Sequence, residues 1–172
     1  MDLQAMRRTA GGFFAAGSAV IVGDVRIGAD SSVWHHCVLR GDVAPIRVGE
    51  RVSIQDGAVL HCRLGVPLSV EDEVVIGHRA VVHAKRVGRR SLIGIGSAVL
   101  DDSEIGEGCL IAAGAVVPPG TIGPPRSVVM GLPGKVVRPI RAEEEAYIDR
   151  VVKGYVELAR RHAAGEFPPV RA

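Results

Sequence analysis

Aliphatic residues recur every six positions along most of this chain. The series runs Ile21, Ile27, Val33, Leu39, then Val48, Ile54, Leu60, then Val70, Ile76, Val82, and continues as Val87, Ile93, Val99, Ile105, Ile111 and Val117. Four residues after most of them stands a small or β-branched residue, such as Ser31, Val52, Ala58, Ala80, Ser97 and Ala115. Glycine often follows the aliphatic residue directly, as in Ile27-Gly28, Ile76-Gly77 and Ile105-Gly106. A period of six suits neither an amphipathic helix nor a half-buried strand. It suits a β-helix whose coil is a three-sided prism, with one hexapeptide per side, the aliphatic residue inward and the small residue near each corner. Every third hexapeptide then lies on the one below at about the inter-strand spacing of ~4.8 Å. Stacking supplies the core that one coil alone could not bury. An ordinary β-sandwich would not hold sixteen positions in near-constant register.

Composition agrees with a core of small aliphatic side chains. The 172 residues are 47% hydrophobic but only 3% aromatic, and the 22 glycines show no three-residue period, so they mark turns. A net charge of +2 without a long basic run excludes an obvious nucleic-acid footprint. The opening MDLQAMRRTAGGFFAAG is too short and too broken for a membrane span or a signal peptide, so we expect a soluble, cytoplasmic protein. Cys37, Cys62 and Cys109 form no CxxC pair and read as free thiols in a reducing compartment.

The register breaks in three places. Leu39 to Val48 is three residues too long, Leu60 to Val70 four too long, and Val82 to Val87 one short. The first two predict loops protruding from corners, over 41–47 and 62–69. After Val117 the pattern decays through two proline pairs, and GLPGKVVRPI leads out of the prism. From about Glu143 to Ala164 the chain reads as a helix, with Ile148, Val152, Tyr155 and Ala159 on one face, an acidic first turn and Gly165 as a stop. About 22 residues would span roughly 33 Å, enough to run the height of the prism. The expected organisation is a β-helix over 1–141 and a helix and tail over 142–172 packed on it.

The register also places three of the six histidines. With Leu39 on side one, Val48 falls on side two, Ile54 on side three and Leu60 on side one again, and Val70, Ile76 and Val82 repeat the cycle. His61 and His83 each follow the aliphatic residue of side one, one coil apart, and should stack outward above Arg40. His78 lies two residues after Ile76 on side three, above Asp56 and beside Gln55. One chain would struggle to bring all three histidines to one point. In a homotrimer, side one of one subunit can face side three of its neighbour, so that His61 and His83 join the neighbour's His78. Three neutral imidazoles with one open position suit a catalytic zinc. His35, His36 and His162 lack this convergence and read as surface or interface residues. Cys62 beside His61 would close the open position with a soft ligand, which disfavours it as a fourth donor. Arg40, Asp42, Gln55 and Asp56 supply the remaining polar groups; Arg40 could hold an anion or form an ion pair between subunits.

On the motifs LRGDVAPIRVG, IQDGAVLH and IGHRAVVH, the chain from about Ala15 to Arg141 resembles γ-class carbonic anhydrase-like proteins of the hexapeptide-repeat superfamily. The resemblance implies a mainly β fold, a single-stranded left-handed parallel β-helix followed by a C-terminal α-helix. It implies a homotrimer with interfacial metal sites and hydration of CO2 to bicarbonate by a metal-bound hydroxide. His61, His78 and His83 match the metal ligands, with zinc expected and Fe2+ or Co2+ also found in the family. Arg40 matches an arginine near bicarbonate and Asp42 a structural acid beside it. Gln55 matches the residue that orients the hydroxide, Asp56 pairs with the arginine, and Tyr155 stands where relatives carry Asn-Tyr near the metal. Acids associated with proton transfer are missing, their places holding Val43 and the loop CRLGVPLS; Gly154 and Ala84 also depart from the family pattern. Two other functions compete: acyl transfer or CoA-thioester hydrolysis, and an assembly module that keeps metal as a structural staple.

Overall fold

The inward aliphatic residues stack as the six-residue spacing requires. A computed structural model describes residues 3–168; the chain's first two residues and residues 169–172, the end of the expected tail, lie outside the described residues. Side three is a nine-stranded sheet in which Val33, Ile54, Ile76, Ile93, Ile111 and Val129 pair in parallel register. Side one stacks Leu39, Leu60, Val82, Val99 and Val117, and side two stacks Ile27, Val48, Val70, Val87 and Ile105. Every one of these from Leu39 onward is buried, and most have no exposed surface at all. Burying an aliphatic side chain of this size contributes about 1.5–3 kcal/mol, so the columns account for the stacking.

The corners obey a rule that the sequence pattern hides. On two of the three edges the residue three places after each inward position turns the chain in the left-handed region. On the edge between sides two and three these are Asp30, Arg51, Glu73, Arg90 and Arg126, with φ of 53–60°, joined by Gly108. Between sides three and one they are His36 and Arg79, joined by Gly57, Gly96 and Gly114. The next residue tucks under the corner, which is why it is small: Ser31, Ala58, Ala80, Ser97 and Ala115 are at most 1% exposed.

The first register break is not a loop. Strands β1 (Met6–Arg8), β2 (Phe14–Ala16), β3 (Val20–Ile27), β4 (Ser32–Val33) and β5 (Val38–Val48) open the fold, and β5 runs unbroken through the expected 41–47 loop. It stays paired with β3 at 38–41 and again at 46–48, with a register shift between Gly23 and Val25 that absorbs the extra residues as a bulge. Because β3 and β5 bend around a corner without stopping, sides one and two join into a single sheet. The second break is a loop, with a turn at Leu64-Gly65. The third is a tight corner over His83–Lys85 that lacks the left-handed residue.

Both ends of the prism are covered. β1 pairs antiparallel with β2 on the first coil. At the other end Ser127–Gly131 extends side three, and Gly134–Pro139 folds back antiparallel on it rather than leaving the prism. Helix α1 (Ala142–Ala163) then packs Ile148, Val152 and Ala159 against the prism. Its start is fixed by a capping box in which Glu144 accepts from the Arg141 N–H (2.9 Å). The Arg138 guanidinium grips the same carboxylate at 2.7 and 2.8 Å and holds its pKa down at about 2. No helix among the described residues is long and apolar enough to cross a membrane.

Close coil spacing makes a testable distinction between glycines. A Cβ on Gly94 would lie 2.5 Å from Ala113 N and Ile111 O of the next coil, whereas one on Gly96 (φ 64°) would meet open space. Gly96→Ala carries only the left-handed penalty, about 1–2 kcal/mol. Gly94→Ala forces two backbones apart and should lower the urea midpoint clearly more than Gly96→Ala, both measured at one protein concentration.

Candidate metal centre

Side one differs from its neighbours at the position after the inward residue. Sides two and three carry glycine there in several coils, because the next coil passes close by. Side one carries Arg40, His61 and His83, one above another. Their backbones are fixed by the ladder: His61 N donates to Val82 O (3.1 Å) and His83 N to Val99 O (2.8 Å). The rings therefore stack, with centroids 5.0 Å apart and His61 Nδ1 3.0 Å from His83 Nε2.

The outer nitrogen of each ring meets a carboxylate. His61 Nε2 lies 3.0 Å from Asp42 Oδ1, and His83 Nδ1 bonds Asp101 Oδ1. Asp42 stands in the β5 bulge and also accepts from Arg40 Nη1 at 2.5 Å. That guanidinium holds the Asp42 carboxyl below the usual range, and the His61 contact adds to the effect. The two inner nitrogens face each other at 3.0 Å, where one ring can donate to the other or both can hold a cation.

His78 stands on side three, above Asp56 as the register predicts, with Nδ1 3.0 Å from Asp56 Oδ2. Asp56 also accepts from the His35 N–H (3.3 Å). The free nitrogen, Nε2, is 3.5 Å from the Tyr155 hydroxyl on α1. Tyr155 packs edge-on against Trp34 (5.4 Å), and burial raises its pKa. Gln55, 5% exposed, precedes Asp56 in the chain and lines an apolar groove of about 200 Å3 together with Gly77, Gly94 and Ala112.

The chain thus brings His61 and His83 together with Arg40, Asp42 and Asp101, and brings His78 together with Asp56 and Tyr155, on two different faces. Among the described residues no group of three His, Cys, Asp or Glu side chains converges to hold a metal. Within one chain Asp56 bonds histidine groups, not Arg40. Sequence reasoning missed Asp101. Its signal was its place two residues after Val99, in the coil next to His83. His162 packs between Trp34 (5.1 Å) and Phe167 (4.6 Å), and burial first, then the His35 charge, lowers its pKa. Cys62 points inward, its thiol donating to Ala44 O (3.1 Å), and Cys37 and Cys109 are likewise free and buried. Burial pushes the Cys37 thiol up to about 11.

The donor set suits zinc. Imidazole bonds of about 2.0–2.1 Å in a tetrahedral site put two ligand nitrogens about 3.3 Å apart, close to the spacing of His61 Nδ1 and His83 Nε2. Carboxylates on the outer nitrogens are the usual support for metal-binding histidines.

Residues 84–119 match the bacterial transferase hexapeptide (six repeats) family. A carbonic anhydrase of Geobacillus kaustophilus is 43% identical over 88% of this chain and 83% of its own length. The mitochondrial gamma carbonic anhydrase 2 of Arabidopsis thaliana is 38% identical over 88% of this chain, which spans 56% of that protein. Among solved structures, a hexapeptide transferase family protein from Anaplasma phagocytophilum superposes with a TM-score of 0.76 at 32% identity, covering 91% of this chain and 97% of that one.

The Asp101 contact can be checked on the metal-free protein. Long-range nitrogen–proton NMR of the histidine rings should show His83 protonated at Nδ1. Asp101→Asn should shift that ring toward the other tautomer, with His78 unchanged as the internal reference.

Proposed function

We propose, for a chain that belongs to the γ-class carbonic anhydrase family of hexapeptide-repeat proteins, that it hydrates CO2 reversibly to bicarbonate at metal sites shared between the subunits of a homotrimer. His61 and His83 of one subunit and His78 of the next hold the metal, zinc by preference and Fe2+ or Co2+ as alternatives. The observation that carries this reading is the shared pattern of the three histidines: each has one ring nitrogen tied to an aspartate and the other directed away from it. Three imidazoles and no converging thiolate fit zinc, which when bound would supply water acidified to near neutral pH.

The chain's own groups do the rest. Asp42, Asp56 and Asp101 fix the tautomers and orient the rings. Gln55 lies on the His78 side, where its amide can accept from and donate to the attacking water. Arg40 offers a guanidinium to the product anion, and its pairing with Asp42 keeps it aimed along side one. Tyr155 closes the approach to His78 from the helix. Val43 and the loop after His61 offer no carboxylate to pass protons to solvent, so proton export should limit turnover. Three buried thiols favour a reducing compartment, and we assign the protein to the cytoplasm.

One observation supports thioester hydrolysis as a second reading. The groove beside Gln55, about 200 Å3 and walled by Tyr147 and Val151 of α1, is larger than CO2 needs.

Complementation tests the shared site directly. His78→Ala and His61→Ala trimers should each bind no metal by elemental analysis while keeping the wild-type circular dichroism spectrum. Refolding the two variants together should restore about one site in four, with matching CO2 hydration, because only interfaces that draw the intact residues from different chains are complete. Absence of recovery in the mixture would rule out a site split between subunits.

A further inference from the structure

Helix α1 is stitched to the edge between sides two and three by ion pairs at both ends. Arg126 meets Glu145 at 2.5 Å and Arg90 meets Asp149 at 2.7 Å near one end, and Arg160 meets Asp30 at 3.3 Å near the other. The prism partners are all left-handed corner residues of that one edge. From Glu145 to Arg160 the helix rises about 22 Å, and the five coil steps from Arg126 to Asp30 cover about 24 Å. The two ladders therefore run side by side over the same length.

The ladder has a gap. Between Asp149 and Arg160 the helix and the edge part around a cleft of about 480 Å3, with Arg51, Glu73 and Arg89 on the prism wall and Lys153 and Glu157 on the helix wall. Among the described residues no ion pair joins the two walls between the Arg90–Asp149 and Arg160–Asp30 pairs. Arg51 and Arg89 share the single Glu73 carboxylate, at 3.2 and 3.0 Å, and Arg51 also meets Glu50 at 3.0 Å. Among the described residues Lys153 and Glu157 have no ion-pair partner. The lining itself holds five cationic side chains and three carboxylates, with Asp30 and Glu50 pairing Arg160 and Arg51 from outside it. Val152 and Val156 give it an apolar strip. Placing arginine at a left-handed corner costs about 1–2 kcal/mol, a cost the edge between sides three and one avoids with glycine in three coils.

We propose that this cleft binds a phosphate monoester of nucleotide size. The phosphate sits among Arg51, Arg89 and Lys153, where guanidinium forks match its oxygens, and the apolar part of the ligand lies along Val152 and Val156. The volume falls in the range of small-molecule sites. The cleft lies on a different face of α1 from Tyr155, so its occupancy does not depend on the hydration reading.

Equilibrium dialysis of the full chain in its native assembly, against AMP, inorganic phosphate and adenosine, tests the assignment. AMP should bind more tightly than phosphate, adenosine should not bind, and AMP affinity should fall as salt rises. Lys153→Glu and Arg89→Gln, both at exposed positions, should keep the wild-type circular dichroism spectrum and each weaken AMP by about tenfold. Phosphate binding as tightly as AMP would overturn the ester assignment. Failure of AMP to bind at low salt, or wild-type affinity in both variants, would overturn the site.

Discussion

Every coil of this protein hangs from the next by backbone hydrogen bonds between residues about eighteen positions apart, and the outward side chains inherit their places from that ladder. Gln55 N bonds Ile76 O at 2.9 Å, Gly77 N bonds Ile93 O at 2.8 Å, and Gly94 N bonds Ile111 O at 2.8 Å. A slip of one residue would turn the whole inward column out to solvent, so buried isoleucines and valines hold the register firmly. The histidine column on side one is held by the same bonds. His61 and His83 can lie 3.0 Å apart because Leu60 and Val82 beneath them are fully buried and in register.

The close approach of coils decides where bulky groups can stand. Glycine after the inward residue lets the next coil pass within contact of the backbone on sides two and three. Side one abandons glycine at that position and gains a stack of titratable side chains instead. The bulge in β5 complements this: it lifts Asp42 off the regular path to a place beside the ring one coil away. An insertion in a strand that stays paired at both ends is a firmer mount for such a carboxylate than an open loop would be.

Helix α1 ties the two ends of the prism together. Its surface ion pairs contribute little each, and burial of Ile148, Val152 and Ala159 contributes more. The pairs set the helix's height on the edge, and height is what places Tyr155 over Trp34 and within 3.5 Å of His78. Tyr155 was legible in the sequence as one position of an apolar stripe; its meeting with His78, 77 residues away, is a matter of docking.

The sequence by itself determined the repeat, the three columns of inward residues, the helix and the stacking of His61 on His83 with His78 on another face. Each follows from spacing alone, since a constant period in a stacked coil converts chain position directly into place on the prism. Only the tertiary structure decided the details in which backbone conformation departs from the period. The extra residues of β5 became a paired bulge and not a loop, because strand hydrogen bonds could be kept on both sides of it. The segment after Gly131 folded back as a strand because side three still offered an open edge. Asp101 reached His83 because the short corner after Val82 sets i+1 of one coil beside i+2 of the next, an offset that no count of sixes contains.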